Sequence, residues 1–144
     1  MGTHETNALL VEQLIDLNSL VAGMTKAVVE AEGLNESQAN LLWLLDPGAE
    51  PVSLKQLAVR LKCDPSNVTL ISAKLEEKGL AVRAPHPADG RVRTLVLTKA
   101  GKKARERVLA GAYGRSPFRV LGERDQQQLH RLLKKVLEAS EPQR

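Results

Sequence analysis

The 144-residue sequence predicts a mainly α fold carrying one small β-hairpin, and three observations support this. Apolar residues recur every three or four positions over most of the chain. Two capping boxes, Asn35-Glu-Ser-Gln38 and Ser53-Leu-Lys-Gln56, each announce a helix start. Two short runs of strand composition flank an Asp89-Gly90 turn. The length suits a single domain, and with Trp43, Tyr113 and Phe118 as its three aromatics the core must be aliphatic.

The first helix is expected over about 8–31. Leu10, Leu14, Leu17, Val21, Met24 and Val28 form a stripe that Leu9, Ile15, Leu20 and Val29 widen. A helix apolar around so much of its circumference needs cover on more than one side. A dimer interface supplies that cover; a central core helix in a monomer is the alternative. The next helix opens at the Asn35 box, carries Leu41, Leu42, Leu44 and Leu45, and stops near Asp46-Pro47-Gly48. Trp43 lies in it and reads as core packing, with ligand stacking as the alternative.

Ser53 caps the third helix, whose inner face is Leu54, Leu57, Ala58 and Leu61. Ala58 is small where a second helix must cross closely. Asp64 is expected to cap the fourth helix, with Pro65 in its first position. Helical spacing puts Val68, Ile71 and Leu75 towards the core and Ser66, Thr69, Leu70 and Ala73 opposite, with Asn67 and Lys74 on one flank. Gly79 stops the helix as its C′ residue. Strands over 80–84 and 92–97 follow, with 85–90 as the turn. Two compact helices, a tight turn and a Gly-stopped second helix feeding a hairpin describe a winged helix-turn-helix. That arrangement places one helix in the DNA major groove and a wing beside it.

Thr98 is the expected cap of a helix through about residue 112, which the Gly111–Pro117 stretch then breaks. A last helix over 123–139 carries Leu129, Leu132, Leu133, Val136 and Leu137 in one clean stripe. The domain is read as 1–144, with a winged-helix lobe over 34–101 and a helical dimerisation lobe from 8–31 and 102–140.

Charge follows this division. Residues 1–52 hold one lysine, Lys26, against eight acids, a net of −7. Residues 53–103 hold eleven Lys and Arg against four acids, a net of +7, and the remainder is +4. The modest total of +4 conceals a basic segment in register with the motif, as phosphate contact requires. Arg91, at the hairpin tip, fits the enhanced negative potential of a narrow minor groove. Arg83 and Arg93 suit either phosphates or neighbouring acids, and Asp89 is expected to pair with Arg91 and fix its direction. The DNA-contacting set is thus Ser53, Ser66, Asn67, Thr69, Leu70, Ala73, Lys74, Arg83, Asp89, Arg91 and Arg93.

Other chemistries find less support. No run approaches the ~20 apolar residues of a membrane span, and the polar N-terminus lacks signal-peptide character, so a cytoplasmic protein is expected. His4, His86 and His130 are scattered without a second ligand at metal spacing. No phosphate loop, nucleophile elbow or acid–base pair suggests an enzyme, and no cofactor is implied. Cys63, the single cysteine, is a small turn residue or, alternatively, a thiol-based redox sensor. A winged helix serving as a protein-interaction or architectural module is the remaining alternative, and the +7 segment argues against it.

An ordered set of motifs resembles the MarR (multiple antibiotic resistance regulator) family of bacterial winged-helix transcription factors. It runs through Leu34-Asn-Glu-Ser-Gln-Ala, Leu57-Ala-Val-Arg-Leu, Ser66-Asn-Val-Thr69, Leu75-Glu-Glu-Lys-Gly-Leu80 with Arg83, Asp89-Gly-Arg91, and Leu97-Thr98-Lys-Ala-Gly101. These cover about half of the chain. Gly90 departs from the pattern, since the family often has Arg there, and removes one wing cation. The resemblance implies a homodimer with intertwined termini. Its two recognition helices, each about 65–78, would enter successive major grooves of a palindromic operator on double-stranded DNA. It implies a repressor, commonly released by a small phenolic-type effector bound between the lobes. Physically, such release is a population shift towards a helix spacing that no longer fits one DNA turn.

Overall fold

The computed structural model describes residues 2–140. The first helix, α1 (Thr3–Ala31), starts five residues before the expected start at 8. Thr6 donates both its N–H and its hydroxyl to the Gly2 carbonyl, so polar residues supply the extra turn. Of α1 only Val29 is buried, while Leu9, Leu10, Val11, Leu14, Ile15 and Leu20 stand exposed.

Helix α2 (Glu36–Leu44) opens on a complete capping box. The Asn35 side chain accepts from Gln38 N–H at 2.9 Å, and the Gln38 side chain accepts from Asn35 N–H at 3.1 Å. Leu41 and Leu42 are its fully buried pair. Trp43 is not core: it is 43% exposed and meets Tyr113 edge-on, centroids 6.0 Å apart. Its neighbours Leu41 and Leu42 claim the inward face, which leaves the ring the outer side of the helix.

The reciprocal Ser53–Gln56 box starts α3 (Leu54–Leu61), and Leu57 and Ala58 bury its inner face. The turn to α4 (Pro65–Glu77) passes through Lys62 in the left-handed region at φ 52°. The sequence has no glycine to mark it. Asp64 occupies the N-cap position, but its side chain makes no cap bond. Its own carbonyl instead takes the N–H groups of Asn67 and Val68, at 3.0 and 3.2 Å, and Pro65 has none to satisfy. Gly79, at φ 70°, ends α4 in a Schellman arrangement: Gly79 N–H reaches Glu76 O and Leu80 N–H reaches Leu75 O.

Strands β1 (Ala81–Pro85) and β2 (Arg93–Leu97) pair antiparallel, Ala81 opposite Leu97 and Pro85 opposite Arg93. Thr98 then caps α5 (Lys99–Gly114) through Gly101 N–H. The helix ends within the Gly111–Pro117 stretch, as the sequence suggests, two residues beyond the expected end near 112. A Cβ on Gly111 would lie 2.6 Å from the Val28 side chain, so glycine lets α5 cross α1 closely without ending the helix. After a 3-10 turn (Pro117–Val120) comes α6 (Glu123–Ser140), in which no residue is buried. Its apolar stripe is real and uncovered: Leu132, Leu133, Val136 and Leu137 are all exposed.

The core is a single aliphatic cluster in the middle of the chain. Leu41, Leu42, Leu57, Val68, Leu75 and Leu95 are fully buried there, with Ala104 and Val108 of α5 closing it. Among the described residues no helix is long and apolar enough to cross a membrane.

Candidate nucleic-acid interface

Val68 and Leu75 anchor α4 to the core, and this fixes which side faces out. Ser66, Asn67, Thr69, Leu70 and Lys74 are exposed and Ala73 is half-buried. They form one outward surface, as helical spacing predicts. Ser72 lies inward and fully buried, its hydroxyl without a partner. Its position, four residues after Val68 and three before Leu75, puts it on the core face, where the apolar pattern left it unassigned.

Not every expected side chain is free. The Thr69 hydroxyl donates back to Pro65 O at 3.0 Å. Lys74 Nζ lies 3.1 Å from Glu77 Oε2. Arg83, on β1, donates through Nε to Glu76 Oε1 at 2.7 Å and through Nη2 to Thr69 O at 3.4 Å. Of the two roles open to Arg83, the structure gives it the acid, and the strand is thereby pinned to α4. The Ser53 hydroxyl is held within its capping box, and its backbone bridges to Thr94 of β2. The start of α3 and the wing are therefore tied together.

The wing tip is a compact set of local bonds. His86 N–H donates to Val92 O at 2.8 Å, and Val92 N–H donates to Asp89 O at 3.0 Å. Ala88 N–H donates to His86 Nδ1 at 3.0 Å. Asp89 does not direct the Arg91 guanidinium. Its Oδ1 accepts the Arg91 backbone N–H at 3.0 Å, an Asx turn that shapes the tip and leaves the arginine head exposed. Arg93 is likewise exposed. Cys63 is half-buried in the α3–α4 turn, its N–H bonded to Ala58 O.

Behind this surface lies a groove of about 960 Å³ between α1, α2, α3 and α5. Val21, Ala22, Val29, Leu34, Leu44, Leu61 and Val108 give it an apolar wall; Asn18, Lys26, Asn40 and Arg60 supply polar groups, and Trp43 stands at its side. The resemblance implies an effector between the lobes but names no lining residue, because the walls come from four elements far apart in the chain. The same region is cross-braced. Arg105 donates to Trp43 O at 3.2 and 3.3 Å, securing the end of α2. Lys78 Nζ donates to Gly33 O at 2.7 Å, tying the end of α4 to the α1–α2 corner.

A helix pair with an outward polar face, braced to a basic two-stranded wing and set between long apolar helices, defines a winged helix-turn-helix protein. The MarR family model matches residues 34–92, and the chain belongs to the MarR family. The chain is 33% identical over 99 residues to the HTH-type transcriptional repressor IacR of Pseudomonas putida, covering 67% of this chain and 58% of that protein. It is 35% identical over 83 residues to the HTH-type transcriptional repressor MdtR of Bacillus subtilis, covering 58% and 53%. The matched stretches thus span little more than half the length of these two relatives. Among solved structures, CouR of Rhodococcus jostii RHA1 bound to p-coumaroyl-CoA superposes with a TM-score of 0.76 at 25% identity, over 91% of this chain and 93% of that one. The repressor CouR bound to a 23-mer DNA duplex superposes at 0.73 and 25% identity, over 95% and 98%.

Proposed function

We propose that the protein is a transcriptional repressor that binds a palindromic operator as a homodimer and releases it when a small effector enters the groove. The observation that carries this reading is the continuous surface of α4's outward face and the basic wing, within a segment of net charge +7. In this reading Ser66, Asn67, Thr69, Leu70 and Ala73 face the major groove, and Arg91 enters the minor groove. Lys74 and Arg93 approach phosphates, while Ser53, Arg83 and Asp89 hold the reading elements in place. The exposed apolar faces of α1 and α6 are the dimerisation surface. Covering them in a second copy explains long stripes that no described part of the same chain shields.

The groove suits an effector with a planar apolar body, phenolic in type, which Trp43 stacks against and Asn18, Asn40 or Arg60 orients. It adjoins both α1 and α3, so an occupant that spreads them changes the separation of the two recognition helices. That CouR is a repressor seen with both DNA and an acyl-CoA supports the combination.

Anisotropy titration of a labelled random-sequence duplex tests the DNA reading. Binding should be clear at about 50 mM salt and weaken by orders of magnitude at about 200 mM. Absence of binding at both salts would favour a protein-interaction module.

A further inference from the structure

We propose that α4 reads thymine through its C5-methyl group, with Leu70 at the centre of the contact, so that A·T pairs rather than guanines anchor each half-site. This rests on α4 being the groove-entering helix. Leu70 is 65% exposed and stands at the pole of α4 opposite Val68 and Leu75, which are fully buried. Among the described residues no neighbour covers this leucine, and the segment's charge of +7 matches a polyanion as its partner.

The surrounding chemistry narrows what the face can recognise. Guanine is read mainly by Arg or Lys reaching O6 and N7. The pole of this face carries no cation: Lys74 shares the flank of Asn67, where its ammonium is drawn to Glu77 at 3.1 Å, and Arg83 is committed to Glu76 and the Thr69 carbonyl. With its hydroxyl bonded to Pro65 O, Thr69 offers its methyl as the free contact. Ala73 offers another. Beside them the amide of Asn67 matches the N6–N7 edge of adenine. Methyl and amide together complement an A·T step.

The test uses the full chain and a duplex selected from a random pool. Each half-site thymine is replaced in turn by deoxyuridine, which removes only the C5-methyl. Affinities are measured for the wild type and for Leu70→Ala, whose folding circular dichroism confirms. One thymine per half-site should lose about fourfold on replacement in the wild type, the worth of one buried methyl, and nothing in Leu70→Ala. Tolerance of deoxyuridine at every position, or a loss undiminished in Leu70→Ala, overturns the assignment while leaving operator binding intact. A pool that yields no enriched sequence refutes the operator reading itself, and the thymine contact with it.

Discussion

Arg107 of α5 forks the carboxylate of Glu32 at the end of α1, Nε 2.6 Å from Oε1 and Nη2 2.7 Å from Oε2. The next residue, Gly33, accepts the Lys78 ammonium. One corner of the backbone therefore joins α1 to α5 and to the end of α4.

The Arg107 hydrogen bonds hold the Glu32 carboxyl below its ordinary value of 4.5, outweighing the desolvation that pushes it up, and the guanidinium charge adds to the lowering. A depressed carboxylate stabilises the fold fully above its unfolded value, and that stability is lost as pH falls through the lowered folded value. Glu32→Gln should lower Tm by about 2–4 °C near neutrality. The gap to wild type should hold down to about pH 5 and close below 4.5. Thermal melts across that range check this; a gap unchanged at low pH would contradict it.

Gly101 sits where α5 starts against the end of the α4–β1 turn. A Cβ there would lie 1.8 Å from the Leu80 carbonyl oxygen, so backbone must move to admit it. Gly101→Ala should destabilise by about 1–3 kcal/mol despite alanine's better helix propensity. Denaturant melts with a lower midpoint and an unchanged slope would agree.

Leu133 and Leu137 lie on an α6 that contributes nothing to the buried core. Leu133→Glu combined with Leu137→Glu should leave the secondary structure intact and abolish dimerisation. Sedimentation equilibrium should give twice the 15.7 kDa chain mass for wild type and a single chain mass for the variant. An unchanged mass would move the interface elsewhere.

Arg91 contributes its backbone N–H to the wing turn, and its side chain is exposed. Arg91→Ala should therefore preserve the fold while weakening operator binding at least about tenfold, with a salt dependence shallower by about one ion. Unchanged affinity at physiological salt would remove the wing from the mechanism.

Local chemistry made much of the fold legible. Asn35, Ser53 and Thr98 cap helices where their side chains predict, and Gly79 takes the left-handed stop. What escaped prediction depends on contacts between distant parts of the chain. The close crossing of α1 and α5 at Gly111 shows only once Val28 is seen against it, and Trp43 resembles core until Leu41 and Leu42 occupy the inside. Likewise, the spacing of Asp89 and Arg91 suggests an ion pair, but it cannot tell a guanidinium from a backbone N–H as the partner. The outward face of α4 was readable because one helix carries it. The residues lining the groove were not, because four elements build it.

In the proposed mechanism two copies of this chain read one symmetric DNA sequence. Selection from a random duplex pool, with the affinity of the winner followed against salt, tests it most directly. A dimeric reader should enrich an inverted repeat with half-sites about one helical turn apart and show a steep salt slope. A pool that remains random, with only weak salt-sensitive binding, would contradict it.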